Sequence, residues 1–311
     1  MEFINRIRKI HLKQTGGHIP DSKDAESFLK TLPEDPNLLA ASLIRIESTQ
    51  QDAYRIGPPR ASQMATLCVR FHVIGSMENL SKKEWSSLNS RLIFGMGNGL
   101  HYWIQNTDDL FEDPMRVGWW KCLACGNTSH FGYRPKNNCK KCGASKKAFE
   151  YREHWMKLPG EYPISGHPDL FLAFPGYIFR VCELKTINGN AFESLKAPLA
   201  EHEMQVQTYM WGLGLDERMP VQIDGELGFI LYISKQSFRK ILPLKMFPIR
   251  KSESSIKFIK NVASQYRIGI KNYPQKLPSP HSKCAQSNFG SYHAKQCVCR
   301  KKCLEFLDKG I

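Results

Sequence analysis

The sequence lacks any uninterrupted apolar run of the roughly 18 residues that a membrane-spanning helix requires. Its start, residues 1–9, has no hydrophobic segment of the kind found in a secretory signal peptide. No NTP-binding loop is visible either. These absences argue against a membrane or secreted protein and favour one that stays in a reducing compartment. There the ten cysteines are better explained as metal ligands than as disulfide partners.

Acidic residues are scarce relative to basic ones. The 311 residues include 29 Asp and Glu against 44 Lys and Arg, which gives a formal net charge of +15. Such a charge favours a polyanionic partner, nucleic acid before membrane. A basic proteome or a ribosome-like structural role would produce the same balance. The hydrophobic fraction of 41% is typical of a globular protein with a sizeable core.

Two apolar runs joined by a Pro-Gly turn carry the first candidate site. The runs, 169–174 and 177–186, are predicted to form an antiparallel β-hairpin. Glu183 and Lys185 are two residues apart and share one face of the second strand, and strand pairing would bring Asp169 near them. Two carboxylates and an ammonium would form the divalent-cation site that metal-assisted phosphodiester cleavage needs. An ordinary salt bridge is the competing interpretation.

Two C-x2-C pairs, each followed by glycine and separated by 13 residues, lie in an apparent insertion. Four thiolates at this spacing predict a zinc ribbon, in which the metal closes a tetrahedral site and lets a short segment fold. Four unligated cysteines are the alternative. The predicted ligands are Cys122, Cys125, Cys139 and Cys142.

The same insertion is basic and aromatic. Residues 116–147 contain eight basic residues and no acidic one, with aromatic residues interleaved. This pattern suits phosphate contact combined with base stacking. The predicted DNA-binding residues are Lys136, Lys140, Lys141, Trp119 and Trp120. The two tryptophans would equally suit a small core inside the ribbon.

A long helix is predicted over residues 82–106. It contains three glycines, each costing about 1 kcal/mol relative to alanine, which indicates close approach of another backbone or a ligand. His101 follows them. A single histidine on such a helix is more often an ordinary core or surface residue.

In order along the chain, these motifs resemble the PD-(D/E)xK nucleases, and in particular their RecB-like branch. That branch includes the CRISPR-associated adaptation exonucleases and the AddAB-type nuclease domains. The resembling motifs are Ser62-x5-Cys68-x-Arg70, the glycine-then-histidine segment 94–101, Gly166-x2-Asp169, Glu183-x-Lys185, Gln205-x3-Tyr209 and three C-terminal cysteines. The match runs from about Ser62 to Cys303.

The resemblance implies an α/β fold, a PD-(D/E)xK restriction-endonuclease-like core with a central mixed sheet flanked by helices and an inserted zinc ribbon. The expected organisation is an N-terminal helical segment (1–60), a core (61–114 and 148–270), the ribbon (115–147) and a linker with a Cys-rich C-terminal segment (271–311). The implied activity is Mg²⁺- or Mn²⁺-dependent deoxyribonuclease. It would be an exonuclease acting on DNA ends or single strands in recombination, repair or DNA processing.

The resemblance also implies roles for individual residues. Asp169, Glu183, His101 and the Leu184 backbone carbonyl would bind Mg²⁺ or Mn²⁺. Lys185 would orient or deprotonate the attacking water and steady the phosphate charge. Gln205 and Tyr209 would line the site and position the scissile phosphate or the lysine.

A [4Fe–4S] cluster is implied at the C-terminal cysteines, pinning the C-terminus onto the N-terminal helix. Its ligands would be Cys68, Cys297, Cys299 and Cys303, with Cys284 as an alternative ligand. The spacing here, C-x12-C-x-C-x3-C, departs from the family pattern. Both the ligand set and the metal therefore stay open, with iron–sulfur preferred and zinc next.

Two other functions stay open: a non-catalytic nucleic-acid-binding or structural protein on a nuclease-like fold, and an RNA-processing enzyme. The expected partners are DNA and a helicase, recombinase or other DNA-processing protein, without a membrane. We expect a cytoplasmic, nucleoid-associated protein encoded by a bacterium or bacteriophage.

Overall fold

The structure, a computed structural model, describes residues 52–84, 88–107, 116–128, 131–158, 160–236 and 243–311. Residues 53–84 and 90–311 form one unit, which contains the candidate site. The helical patches predicted before residue 52 lie outside the described residues. None of the described helices combines the length and apolar character that crossing a membrane requires.

The described strands and helices follow one another in a mixed order. The strands are β1 (Asp52–Arg55), β2 (Ser81–Glu84), β3 (Arg116–Val117), β4 (Trp119–Cys122), β5 (Phe149–Arg152), β6 (Met156–Lys157), β7 (Ser165–Gly166), β8 (Leu170–Phe174), β9 (Ile178–Ile187), β10 (Leu227–Ser234) and β11 (Leu244–Arg250). The α-helices are α1 (Val69–Met77), α2 (Leu88–Asn106), α3 (Gly189–Ser194), α4 (Ala200–Leu213), α5 (Glu253–Lys271), α6 (Ser282–Gln286), α7 (Tyr292–Lys295) and α8 (Arg300–Asp308). Short 3₁₀ helices cover Ala61–Thr66 and Lys146–Ala148.

Five strands form the central sheet in the spatial order β11–β10–β9–β8–β3. β9 and β10 are parallel, whereas the other neighbouring pairs are antiparallel. The parallel pair is connected through α4, as a parallel connection requires a crossover. The central sheet is therefore mixed and flanked by helices. This confirms the predicted α/β class and its central mixed sheet.

The predicted β8–β9 hairpin is present. Gly176 has a φ of +84° in the connecting turn, a conformation that glycine adopts without steric cost. In the antiparallel register Leu170 lies opposite Cys182. Asp169, one residue earlier, therefore lies opposite Glu183.

Side chains alternate between the two faces of the sheet. Val181 of β9 belongs to a core with Val206 and Met210 of α4. Cys182 and Leu184 belong to a second core on the opposite face, which also contains Ile104 of α2 and several ribbon residues. Full burial of each aliphatic side chain contributes about 1.5–3 kcal/mol. Cys182 is fully buried and is therefore a core residue.

Two predicted boundaries shift in the structure. The helix predicted from residue 82 begins at Leu88, because Ser81–Glu84 pair as β2 with β1, and strand pairing overrides local propensity. The ribbon extends past residue 147, because β5 pairs with β4 across it. Conversely, β3 lies inside the predicted insertion but pairs with β8 in the central sheet.

Candidate active site and thiol clusters

The start of β8 and the middle of β9 bring two carboxylates together. Asp169 is 7% exposed and Glu183 is 2% exposed. Asp169 Oδ2 accepts a hydrogen bond from the Leu184 N–H at 2.7 Å. Glu183 Oε1 is 2.8 Å from Lys185 Nζ. Burial and the nearby Asp169 charge raise the pKa of Glu183 well above its usual value.

One oxygen of this pair has no partner. Glu183 Oε2 is buried and makes no hydrogen bond to any described residue. Buried polar atoms are nearly always satisfied, so an orphaned carboxylate oxygen calls for a ligand. A divalent cation is the ligand that suits two adjacent carboxylates and an imidazole. The donor types present therefore suit a Mg²⁺ or Mn²⁺ ion.

Lys185 is a cation in this arrangement. Burial alone would lower its pKa, but the Glu183 and Asp169 carboxylates outweigh burial and raise it. A protonated ammonium can orient water and neutralise phosphate charge, but it cannot accept a proton.

Behind Lys185 lies a histidine that the sequence did not single out. Tyr232 lies beside Lys185 in the parallel register. Its Oη accepts the Leu199 N–H at 3.0 Å and lies 2.8 Å from His202 Nδ1. Burial and the Lys185 charge lower the pKa of His202 to about 4. A neutral His202 thus shares a hydrogen bond with Tyr232 and adds no second cation beside Lys185.

α2 places His101 beside the carboxylates. His101 Nδ1 lies 3.5 Å from Asp169 Oδ1. A Cβ added at Gly97, one turn earlier, would lie 3.0 Å from Thr186 Oγ1, so the helix passes close to β9 there. The close approach predicted for the helix glycines therefore holds at Gly97. It does not hold at Gly95 or Gly99, where an added Cβ would meet nothing within 4 Å.

The ligand atoms of His101, Asp169 and Glu183 do not all lie within 4.8 Å of one another, as binding to a single ion would require. In the described ranges, the ribbon cysteines are the one group of His, Cys, Asp or Glu residues whose ligand atoms all lie within 4.8 Å of one another. Binding one ion at His101, Asp169 and Glu183 would require these side chains to move closer.

Gln205 and Tyr209 lie one turn apart on α4 and are both buried. Gln205 Nε2 donates to Tyr209 Oη at 3.1 Å, and Tyr209 Oη donates to the His167 carbonyl at 3.0 Å. A Cβ added at Gly166 would lie 2.6 Å from the Tyr209 ring. This pair therefore holds the segment that leads into Asp169. The neighbouring Gln207 instead donates to the Arg250 carbonyl and accepts from the Ser252 N–H.

Two residues that the sequence did not indicate, Gln105 and Glu153, lie beside Asp169. Gln105 Nε2 donates to Glu153 Oε1 and to the Asp169 carbonyl, both at 2.9 Å. Both residues line a cleft of about 390 Å³ with Tyr102 and His167. The i,i+4 spacing from His101 could have indicated Gln105. No local pattern distinguishes Glu153.

The four ribbon thiols converge. The Sγ atoms of Cys122 and Cys142 are 3.7 Å apart, as are those of Cys125 and Cys139. Zn–S bonds of about 2.3 Å at tetrahedral angles place sulfurs about 3.8 Å apart. These cysteines can therefore hold a metal ion such as zinc, as the spacing predicted.

The ribbon tryptophans pack inward. Trp120 has no exposed surface, and its Nε1 donates to the Gly132 carbonyl at 3.1 Å. Trp119 is half-buried, and its Nε1 donates to His154 Nδ1 at 3.2 Å. Burial of Trp120 in the core removes it from the residues that can stack on a base in this structure. The three predicted lysines, Lys136, Lys140 and Lys141, are exposed.

Five thiols line one cavity near the C-terminus: Cys68, Cys284, Cys297, Cys299 and Cys303. Arg70 Nε donates to Cys303 Sγ at 3.1 Å, and an Arg70 Nη atom donates to the Ile311 carbonyl at 2.9 Å. Cys299 Sγ lies 3.6 Å from the Phe71 carbonyl. The C-terminal segment is thus attached to α1. The cavity brings the alternative ligand Cys284 together with the other four.

No protein-family model and no curated protein matches the chain. Among solved structures, the crystal structure of SSO0001 is similar, with a TM-score of 0.38 and 13% identity over 83% of this chain and 97% of that one. An alkaline exonuclease (LHK-Exo) from Laribacter hongkongensis has a TM-score of 0.41 and 13% identity, over 70% of this chain and 89% of the exonuclease. Its complex with dAMP gives the same values. Likenesses this distant leave the function to be inferred from the site.

Proposed function

We propose that the chain is a Mg²⁺- or Mn²⁺-dependent deoxyribonuclease of the PD-(D/E)xK type, with a RecB-like core, that acts as an exonuclease on DNA ends or single strands. The observation that carries the proposal is the unpartnered, buried Glu183 Oε2 beside Asp169 and Lys185. A plain salt bridge would leave no reason to bury a second carboxylate there, since uncompensated burial is costly.

In this proposal His101, Asp169, Glu183 and the Leu184 carbonyl hold the cation. When bound, the cation supplies Lewis-acid activation of water and of the phosphate. Lys185 donates hydrogen bonds to the attacking water or to a phosphate oxygen and compensates the charge that develops there. Gln205 and Tyr209 fix the loop before Asp169 and so act as positioning residues.

The DNA would reach this site across basic and aromatic surface. The exposed ribbon lysines provide phosphate contacts, in line with the net charge of +15. Beside the cleft, Trp155 is 51% exposed and lies parallel to His167, with the ring planes 2° apart. Tyr102, 53% exposed, lines the same cleft. Such exposed rings can stack on unpaired bases at a DNA end or in a single strand. The buried Trp120 cannot.

The thiol clusters complete the proposed cofactors. Zinc in the ribbon would staple β4 to β5. An iron–sulfur cluster would occupy the C-terminal cavity, with Cys68, Cys297, Cys299 and Cys303 as ligands and Cys284 as the alternative. In support, five thiols line that cavity, yet among the described residues they form no group with single-ion spacing. A cluster of four irons holds its thiolates farther apart than one zinc ion does.

Cleavage of end-labelled linear and closed circular DNA, with and without Mn²⁺, tests the proposal. We expect Mn²⁺-dependent release of nucleotides from linear DNA, and loss of cleavage with retained DNA binding in Glu183→Ala and Lys185→Ala. Glu226→Ala is the matched control, because Glu226 also pairs with a lysine but is exposed. Full activity in either site variant contradicts the proposal. Binding without cleavage in the wild type would indicate the non-catalytic alternative, and preference for matched RNA would indicate an RNA enzyme.

A further inference from the structure

Trp155 is a large aromatic residue that the fold leaves at the surface. Its side chain is 51% exposed, whereas Trp120 of the ribbon has no exposed surface. We propose that Trp155, His167 and Lys157 form a subsite that binds one unpaired nucleotide of a DNA strand beside the scissile phosphate. This inference rests on the proposed function and deepens it, because it names the residues that contact the strand and the feature they require, an unstacked base.

The strand register places the three side chains on one face of a two-stranded ribbon. β6 and β7 are antiparallel, and Met156 lies opposite Gly166. Continued by one residue, this register places Trp155 opposite His167. Residues opposite each other, and residues two apart on one strand, project to the same side, so Lys157 shares the face of the two rings. Met156, on the other side, has no exposed surface.

The backbone that carries the two rings is held by hydrogen bonds. An Arg218 Nη atom donates to the Trp155 carbonyl at 2.8 Å, and the same atom lies 2.7 Å from Asp216 Oδ2. On the other strand, the His167 carbonyl accepts a hydrogen bond from the Tyr209 hydroxyl at 3.0 Å. The rings are therefore preorganised, which lowers the entropic cost of ordering a ligand against them.

The chemistry of this face matches a nucleotide. The Trp155 and His167 rings are parallel to within 2°, with centroids 6.3 Å apart. Lys157 Nζ lies 5.3 Å from the centroid of the Trp155 ring. Arg60 forms an isolated β-bridge with Ser165, so a second exposed basic residue adjoins the same strand. Aromatic rings stack on any base, and nearby cations bind the phosphates on either side of it.

The subsite adjoins the proposed catalytic residues. His167 lines the cleft beside the carboxylates, and Pro168 alone separates it from Asp169 in the chain. Two residues of extended chain span about 7 Å, which is comparable with the length of one nucleotide unit. A base stacked on this face would therefore belong to the nucleotide next to the scissile phosphate. A base inside a duplex has both faces covered and must leave the stack to bind here.

Fluorescence anisotropy with labelled oligonucleotides tests the subsite on the full chain, without added Mg²⁺ or Mn²⁺. Trp155→Ala should weaken binding of a short single strand by roughly 5- to 150-fold, and Trp155→Phe should restore most of the affinity. A dumbbell duplex, which has no ends, should bind all variants equally. Tyr177→Ala is the matched control, because Tyr177 is 86% exposed but lies in the turn at the opposite end of β8 from Asp169. It should bind the single strand as wild type does.

A single abasic position, moved along the strand, separates contact with a base from contact with the backbone. In wild type, one abasic position should weaken binding by about the same factor as Trp155→Ala does. That loss should disappear in Trp155→Ala, because the ring and the base form one contact. Lys157→Gln should flatten the slope of log K against log salt by roughly 0.7, the value for one phosphate contact on a single strand.

Equal single-strand affinity of Trp155→Ala and Tyr177→Ala would overturn the subsite. An abasic loss that persists in Trp155→Ala, or an unchanged salt slope in Lys157→Gln, would also overturn it. Failure of the proposed function looks different. Strand binding that depends on Trp155, in a chain that cleaves no DNA with Mn²⁺, would support the subsite and refute the nuclease. Cleavage with Mn²⁺ by a chain whose strand affinity does not depend on Trp155 would do the reverse.

Discussion

At the scale of single residues, the site combines acidic groups that are costly to bury. Asp169 and Glu183 are both nearly inaccessible to solvent, and one ammonium, Lys185, compensates them. The positioning residues behind them are neutral, namely Tyr209, Gln205 and His202. The charge balance of the pocket therefore leaves an excess of negative charge, which a cation can satisfy.

Tyr209→Phe should separate positioning from packing. The ring remains against Gly166, but the hydroxyl that links Gln205 to the His167 carbonyl is lost. Leaving buried groups unsatisfied should cost about 1–3 kcal/mol of unfolding free energy. Single-turnover cleavage should fall while DNA affinity stays the same.

The control is Tyr266→Phe. Its buried hydroxyl bonds Ser76 Oγ at 2.9 Å, so it loses one hydroxyl in the core without touching the Asp169 loop. Urea unfolding and single-turnover rates of both variants provide the comparison. An equal loss of cleavage in the two variants would contradict a specific role for Tyr209.

At the scale of elements, the proposed catalytic residues and the exposed lysines lie on different parts of the fold, the hairpin and the ribbon. The β8–β9 hairpin carries the carboxylates and the lysine, whereas the ribbon packs its tryptophans inward and exposes lysines. A two-stranded ribbon is marginal by itself, so a metal ion held by the four thiols would stabilise it. Phosphate contact and catalysis are expected to reside on different elements.

Replacing Lys136, Lys140 and Lys141 together by glutamine should weaken DNA binding across all sequences, because phosphate contacts carry no base information. The slope of log K against log salt should flatten by roughly 0.9 for each lost contact on duplex DNA. Turnover at saturating DNA should change little. Affinity at several salt concentrations, beside single-turnover cleavage, checks this.

A charge-matched variant, Lys276, Lys295 and Lys309 to glutamine, controls for net charge, since these lysines are also exposed. An unchanged slope in the ribbon variant, or equal slopes in both variants, would mean that the ribbon faces a protein partner instead.

The junction between α4 and β6 should be sensitive to acid. Burial alone would raise the pKa of Asp216, but hydrogen bonds from Arg218 and His154 lower it to about 2. Because the pKa of Asp216 in the folded protein is lower than its unfolded value of about 3.9, this carboxyl group stabilises the fold at pH values above 3.9. The stabilisation is lost as the pH falls toward 2. Burial also lowers the pKa of His154, which disfavours its protonated form in the fold. Both groups therefore destabilise the fold on acidification.

Urea unfolding at pH 6 and pH 3 checks this expectation. Asp216→Asn should be less stable than wild type at pH 6, and the difference should shrink at pH 3. Glu226→Gln is the control, because Glu226 pairs with Lys251 but has an exposed side chain. A constant difference between Asp216→Asn and wild type at the two pH values would refute the assignment.

At the scale of the whole molecule, the C-terminal segment returns to the start of the described chain. Arg70 of α1 contacts Cys303 and Ile311, more than 230 residues away. The five thiols in the adjoining cavity come from Cys68 directly before α1, from α6 and from the segment around α8. A metal centre there would tie these distant segments together.

We expect anaerobically purified protein to contain one zinc per chain and a separate iron–sulfur centre. Elemental analysis with an acid-labile sulfide assay checks both. Cys68→Ser and Cys284→Ser should differ in iron content, and the variant that loses iron identifies the ligand. Cys182→Ala, a buried thiol in the central sheet, should retain all metals. Zinc without iron or acid-labile sulfide would support the zinc ribbon and rule out the iron–sulfur cluster.

The sequence alone determined the features that depend on near neighbours in the chain. Strand period and the Pro-Gly turn predicted Asp169 near Glu183, and C-x2-C spacing predicted that four thiols converge. Only the tertiary structure decided the contacts that join distant segments. Glu153 reaches Asp169 through Gln105 of another element, and His202 reaches Lys185 through Tyr232. The sequence predicts both Trp120 and Lys140 as DNA-binding residues of the ribbon. Only the packing of the ribbon shows that Trp120 is buried and Lys140 is exposed. Local spacing constrains residues within one turn, hairpin or metal-binding knuckle, whereas juxtaposition of residues on different elements depends on how whole elements pack.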